Sequence, residues 1–184
     1  MRRMVSVFLL FFLMISASAG CASPEKPPPA ARSLLAAMQA AMESAAQPLP
    51  SGLLYSRTEA SDAPTYLTET LFTALYGRAA EGLLEADKAD DSPAPVGDAA
   101  MFLSVAPYPC ELAVFRCSDM DAIPTLVSLC RGRLDTVARG FAGTDWESAA
   151  NGSVTAEGCF VFFAIAEDPE AVMEGARAAL KKMR

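Results

Sequence analysis

The chain has 184 residues, of which 52% are hydrophobic and 20% charged, and its formal net charge is −7. It contains no histidine, which excludes Ser-His-Asp and Cys-His catalysis together with zinc sites that need imidazole. The basic residues are scattered, apart from Lys181, Lys182 and Arg184 at the C-terminus. Because nucleic-acid binding needs clustered Lys and Arg, no nucleic-acid partner is expected.

The first 21 residues have the pattern of a bacterial export signal. Arg2 and Arg3 precede an unbroken apolar run over residues 5–17. That run is too short to cross a hydrocarbon core about 30 Å thick as a helix, so it is typical of a signal peptide. Cys21 directly follows small residues, which predicts lipoprotein processing: residues 1–20 are removed and Cys21 becomes the lipidated first residue.

Two other fates of the signal stay open. Ser18 occupies the place where a lipobox usually carries Leu, and cleavage by ordinary signal peptidase after Ala19 would give a secreted protein. An uncleaved segment would instead remain as an anchor. The expectation is a protein held by lipid on Cys21 at the extracytoplasmic face of the cell membrane, with secretion as the alternative.

A proline-rich tether is predicted over residues 21–31. Its prolines at positions 24, 27, 28 and 29 favour an extended polyproline II spacer that lifts a domain away from a surface. Residues 32–184 suit a single domain with its own core. Because Arg2 and Arg3 leave with the signal, 13 basic residues face 22 acidic ones, and the mature net charge is −9.

In chain order, the hydrophobic periodicity predicts α-helices at residues 32–46, 64–76, 123–139 and from 168 onward. Asp62 and Asp121 are expected to cap the second and third of these helices. An acidic, turn-rich surface loop is predicted over residues 87–98. Strands are expected at residues 101–106, 111–117, 154–156 and 159–166.

This order of elements predicts an α+β fold with a four-stranded, mostly antiparallel sheet in a ββαββα order. The last predicted strand, residues 159–166, is apolar on both of its faces. A strand buried on one face only would alternate with polar residues. Both faces of the sheet must therefore be covered, and additional N-terminal helices are expected to cover the second face.

Several segments together resemble one family. They are residues 111–116 (ELAVFR), Asp119 and Asp121, Arg133-Leu134, residues 158–163 (GCFVFF) and Glu167-Asp168. Their order and spacing resemble the domain of unknown function 4358 family of exported Firmicutes lipoproteins, over roughly residues 50–180. The chain departs from the family at residues 143–146 (GTDW), where members tend to have a Tyr-containing polar segment. The resemblance implies an anchored extracytoplasmic domain and brings no catalytic or binding residue with it.

Four cysteines follow Cys21, at positions 110, 117, 130 and 159. If Cys110 and Cys117 share one strand, they lie about 23 Å apart at ~3.3 Å per residue, too far for a disulfide. A cross-strand disulfide between Cys117 and Cys159 stays open. The favoured interpretation of the four is that they are buried, reduced thiols.

No catalytic residue, metal-ligand set or cofactor motif stands out from the sequence. The acidic groups within residues 87–91 and 167–170 lack the alternating spacing of a calcium loop. Tyr108 and Trp146, in predicted loops, are the candidate binding residues because aromatic side chains are enriched at binding sites. Cys117 is the candidate reactive thiol, since it directly follows an arginine.

Three functions are compatible with these observations. The favoured one is a non-catalytic binding or interaction module, tethered to the membrane, whose partner is a protein, a peptide or another envelope component. The alternative is a secreted or surface enzyme that uses carboxylates or a thiol. A structural subunit whose partner covers loop 87–98 fits the sequence as well as a ligand-binding module does. The lack of any nucleophile–base pair favours the non-catalytic reading over the enzyme.

Overall fold

The structure is a computed structural model that describes residues 27–85, 93–105 and 107–184. The predicted signal peptide, Cys21 and residues 87–92 of the predicted acidic loop lie outside the described residues.

The described residues form four α-helices and one five-stranded sheet. The helices are α1 (Ala31–Ser44), α2 (Glu69–Tyr76), α3 (Ala122–Phe141) and α4 (Pro169–Met183). The strands are β1 (Gly52–Ser56), β2 (Val96–Ser104), β3 (Glu111–Cys117), β4 (Gly152–Glu157) and β5 (Phe160–Ile165). Within these ranges, no helix combines the length and the apolar character needed to cross a membrane.

The strands follow one another across the sheet in the order β1-β2-β3-β5-β4, and every neighbouring pair is antiparallel. The predicted mixed α and β architecture with an antiparallel sheet is confirmed, but the prediction of four strands is wrong. The fifth strand is β1, which pairs with β2 from Gly52 opposite Ser104 to Ser56 opposite Ala100. β1 follows Pro48 and Pro50 and is only five residues long, so its strand character depends on its partner.

The beginning of β2 also differs from the prediction. β2 starts at Val96, so the last three residues of the predicted loop 87–98 belong to the sheet. The register shifts between Val96 and Asp98, which is the mark of a β-bulge, and this irregularity hides the strand in the sequence pattern.

Helices cover both faces of the sheet, as the apolar β5 predicted, and all six residues of β5 are buried. The expected division of the helices is wrong. α1 and α4 pack together on one face, and α2 and α3 cover the other, so each face receives one N-terminal helix and one later helix. The first core cluster includes Leu34, Met38, Phe162 and Met173; the second includes Phe72, Phe115, Leu126 and Phe163.

The two ends of α1 are fixed at opposite ends of the sheet. At its start, the backbone N–H of Ala31 donates to the buried carboxylate of Asp98 at 2.8 Å. Just after its end, Gln47 exchanges two hydrogen bonds with the backbone of Asp168, of 2.9 and 3.1 Å. A carboxylate at a helix N-terminus is favourable because it faces the positive end of the helix dipole.

Helix α2 is shorter than predicted. Asp62 does not cap it; the helix begins at Glu69, and the hydroxyl of Thr68 accepts from the backbone N–H of Leu71 at 3.1 Å. Asp121 occupies the N-cap position of α3 without a side-chain capping bond. Asp168 is the N-cap residue of α4, and its carboxylate accepts a hydrogen bond from the backbone N–H of Ala171 at 3.1 Å.

Two helical glycines provide a test of this packing. A Cβ added to Gly175 on α4 would overlap the Cβ of Ala41 on α1, whereas a Cβ on Gly132 of α3 would meet nothing within 4 Å. We expect Gly175→Ala to lower the free energy of unfolding by roughly 1–3 kcal/mol, because α1 and α4 must separate. Gly132→Ala should raise it by up to about 1 kcal/mol. Urea unfolding measures both, and a stabilised Gly175→Ala variant would contradict the close packing of α1 and α4.

Candidate ligand-binding pocket

A pocket of about 240 Å³ opens at the end of the sheet where β2 ends and β3 begins. One wall comes from the β2–β3 connection and the other from the C-terminal half of α3. Much of the lining is apolar and comes from Leu103, Pro109, Val137 and Phe141. An apolar concavity with a few polar groups is typical of a site for a small ligand.

The polar part of the pocket includes an ion pair between a buried acid, Glu111, and a partly exposed base, Arg133. Glu111, the first residue of β3, is only 4% exposed. Arg133 of α3 places both Nε and Nη2 at 2.9 Å from the Oε2 atom of Glu111. Tyr76 of α2 donates its hydroxyl to the other carboxylate oxygen at 3.2 Å. Two side chains from two helices, Arg133 and Tyr76, therefore satisfy the carboxylate of Glu111.

The environment of Glu111 perturbs its ionisation. Burial raises the pKa of Glu111 above its ordinary value of 4.5, and the charge and hydrogen bond of Arg133 oppose this rise. Burial also raises the pKa of Tyr76 well above its ordinary value, and the neighbouring Glu111 carboxylate adds to the effect. A buried acid with a perturbed pKa in a concave site is a candidate functional group, although ion pairs that serve only the fold show the same property.

The loop at the rim is held by short local contacts. The Ser104 hydroxyl donates to the carbonyl of Tyr108 and accepts from the backbone N–H of Cys110, the latter at 3.1 Å. These hydrogen bonds hold the backbone of Tyr108 in place, and Tyr108 is one of the residues that line the pocket.

The structure brings together the two aromatic residues that the sequence suggested for binding. The rings of Tyr108 and Trp146 meet edge to face with centroids 5.1 Å apart, and Trp146 is 38% exposed. Tyr108 also lines the pocket and donates its hydroxyl to Glu167 at 3.2 Å. Burial and the Glu167 charge raise the pKa of Tyr108 to about 12, so its hydroxyl keeps the proton that it donates to Glu167.

The pocket and the start of the domain lie at opposite ends of the sheet. The backbone N–H of residue 31, the last residue of the predicted tether and the first of α1, donates a hydrogen bond to Asp98 near the beginning of β2. The pocket lies at the end of β2 and the beginning of β3. Since β3 has seven residues, the two ends are separated by about 20 Å at ~3.3 Å per residue.

The environment of Cys117 does not favour a reactive thiol. Its side chain is buried, and burial, then the nearby Cys159 and Asp119, raise the pKa of Cys117 to about 11. The neighbouring Arg116 therefore does not activate it, because a nucleophilic cysteine needs a lowered pKa and access to solvent. Cys117 and Cys159 are cross-strand neighbours, since Cys117 N–H donates to the Cys159 carbonyl at 2.8 Å, but both are free thiols, as are Cys110 and Cys130.

The acidic group at residues 167–170 has structural partners of its own. Glu167 accepts from Tyr108, and Asp168 caps α4. Residues 87–91, the other acidic group, lie outside the described residues. Among the described residues, no three acidic or thiol side chains come together in a way that would hold a metal ion.

No functional role of Glu111, Arg133 or Tyr76 follows from the sequence pattern alone. One signal was present: Glu111 begins an otherwise apolar strand of residues 111–115, and a charge at such a place must find a partner when the strand is buried. The partners come from helices 22 and 35 residues away along the chain, and no spacing rule connects them.

No family model, curated protein or solved structure matches the chain.

The raised pKa of Glu111 predicts a pH dependence of stability. The folded state binds this proton more tightly than the unfolded state does, so stability falls as the pH rises from 4.5 through the raised pKa of Glu111. The difference in unfolding free energy between wild type and Glu111→Gln should fall in this range by at most ~1.4 kcal/mol per pH unit. Exposed Glu43→Gln is the control. A difference that stays constant, or that rises with pH, would contradict the assigned environment.

The buried thiols predict a pattern of chemical labelling. In a Cys21→Ser background, we expect half-buried Cys159 to react with a thiol reagent before Cys110, Cys117 and Cys130. The thiolate fraction of Cys117 at pH 7.5 is below about one in a thousand when its pKa is about 11. Mass spectrometry of the labelled peptides gives the order. Labelling of Cys117 in the native protein as fast as in urea would restore the thiol-enzyme hypothesis.

Proposed function

We propose that the chain is a membrane-tethered extracytoplasmic lipoprotein whose domain binds a small ligand in the pocket between the β2–β3 connection and α3. The observation that carries the proposal is the ion pair between buried Glu111 and partly exposed Arg133, which lines a mostly apolar concavity. Desolvating two charges costs free energy that a pair of apolar residues would not. Recognition of a polar group on a ligand would explain why the chain has an ion pair at this position.

The tether supports the same proposal. The export signal, the proline-rich spacer and the resemblance to the domain of unknown function 4358 family all favour anchoring through Cys21. Residue 31 and the pocket lie at opposite ends of the sheet, so a tether at residue 31 leaves the pocket free to meet solutes. The exposed Trp146 beside Tyr108 extends the proposed ligand surface beyond the pocket itself.

Enzymatic activity is the weaker alternative. The raised pKa of Cys117 removes the best thiol candidate. Among the described residues that line the pocket, Glu111 alone carries a carboxylate, and Glu167 lies outside this lining, whereas glycoside hydrolysis needs a pair that flanks the scissile bond.

Anchoring is tested by the Cys21→Ser variant in the source bacterium. We expect it to appear in the medium or the soluble fraction, because the acyl chains that contribute ~0.8 kcal/mol per buried methylene are lost. Cys159→Ser is the matched control, since its thiol is half-buried and the fold should tolerate the change. Fractionation followed by immunoblotting gives the answer, and unchanged membrane retention of Cys21→Ser would contradict lipid anchoring.

Ligand binding is tested by native mass spectrometry of the protein extracted gently from its own membranes. We expect a small-molecule adduct on the wild type that is lost in Val137→Phe, because the larger ring fills the pocket. Thr136→Phe places the same ring on the exposed side of α3 and should keep the adduct. Retention of the adduct in Val137→Phe, or no adduct on any of the three proteins, would contradict the proposed pocket.

A further inference from the structure

The geometry of Arg133 points to the chemical class of the ligand. A guanidinium has a side edge, formed by Nε and Nη2, and an outer edge, formed by Nη1 and Nη2. Glu111 takes the side edge, because both Nε and Nη2 lie 2.9 Å from its Oε2 atom. The outer edge has no hydrogen-bond partner within the described residues, and Arg133 lines the pocket with 23% of its side chain exposed.

We propose that the pocket binds a small organic carboxylate, with the ligand's two oxygens on the outer edge of Arg133. This inference rests on the proposed function of the pocket. The outer edge of a guanidinium matches the two oxygens of a carboxylate in a paired hydrogen-bonding arrangement. Glu111 holds the side edge of the guanidinium, so the outer edge is already oriented before the ligand binds.

The charges around the pocket favour one negative charge on the ligand rather than two. The Glu111 carboxylate contacts the side edge of the guanidinium, so a ligand on the outer edge is farther from Glu111 than from Arg133. The repulsion between the ligand and Glu111 is therefore weaker than the attraction between the ligand and Arg133. Glu167, bonded to Tyr108 at the rim, adds a second carboxylate near the entrance. Glu111 and Glu167 would repel a doubly charged phosphate about twice as strongly as a singly charged carboxylate at the same position.

The rest of the lining describes the other end of the ligand. Leu103, Val137 and Phe141 give an apolar wall, and the cavity of about 240 Å³ suits a chain or ring of a few carbon atoms. The ligand class is therefore a small monocarboxylate with an apolar tail.

The test uses the full-length lipoprotein in nanodiscs, with empty nanodiscs as the reference and no carboxylate in the buffer. Hexanoate and hexanamide are titrated by ligand-observed NMR, because they share a tail and differ in charge. We expect hexanoate to bind saturably and hexanamide to bind at least tenfold more weakly. Equal binding of the two, no binding of hexanoate, or tighter binding of methyl phosphate than of hexanoate would overturn the carboxylate assignment.

Variants locate the binding on Arg133. Arg133→Lys keeps the charge and removes the planar fork, so we expect at least tenfold weaker hexanoate binding. Arg131→Lys, exposed on the same helix, should bind hexanoate like the wild type. Wild-type affinity in a folded Arg133→Lys protein would overturn the assignment, and if that variant does not fold, the hexanoate–hexanamide comparison still decides.

Failure of this inference is distinguishable from failure of the proposed function. If hexanoate does not bind but a native adduct is lost in Val137→Phe, the pocket binds a ligand of another class and only the carboxylate assignment falls. If the native adduct survives in Val137→Phe and hexanoate does not bind, both proposals fall.

Discussion

The fold is organised around one buried carboxylate. Glu111 begins β3, the middle strand of the sheet, and its side chain lies where α2 and α3 meet that sheet. An unpaired carboxylate there would be strongly destabilising, so Arg133 and Tyr76 must be brought to it. Satisfying Glu111 therefore fixes the positions of two helices relative to the central strand. The same requirement places a guanidinium at the base of the pocket.

The architecture places the start of the domain and the candidate pocket at opposite ends of the sheet. Helices on both faces bury the sheet, which leaves its two ends as the places where loops gather. α1 starts at one end, through the bond from Ala31 to Asp98, and the chain before it is the proposed tether. The β2–β3 connection and the segment after α3 meet at the other end, where Tyr108 contacts Trp146. In the proposed function, one end of the domain attaches to the membrane through the tether, and the other end binds the ligand.

The sequence predicted those features that depend on local pattern. The helical stripe of Leu34 and Met38 and the doubly apolar β5 led to a mixed fold with both faces of the sheet covered, and the structure has both. Features that depend on a distant partner were missed. β1 is a strand because β2 lies beside it. Thr68 rather than Asp62 caps α2 because Tyr66 and Leu67 pair with Ser56 at the end of β1 as extended backbone, so the helix begins only after them.

The candidate site shows the same division. Tyr108 and Trp146 were identified from residue type and loop position alone, and their contact with each other follows only from the three-dimensional fold. Glu111 is visible in the sequence as a charge at the start of an apolar segment, but its pairing with Arg133 crosses from a strand to a helix. Cys117 has a sequence neighbour that suggested activation, yet burial decides its chemistry.

The central claim is that the polar trio of Glu111, Arg133 and Tyr76 is kept for recognition, because apolar side chains of similar size would hold α2 and α3 on β3 at least as stably. The most direct measurement is the free energy of unfolding of a triple variant, Glu111→Met, Arg133→Met and Tyr76→Phe, which replaces the trio by apolar side chains of similar size. If the claim is correct, this variant is as stable as the wild type or more stable by up to about 4 kcal/mol, because the desolvation cost disappears. A loss of several kcal/mol would contradict the claim and identify the trio as a structural element of the core.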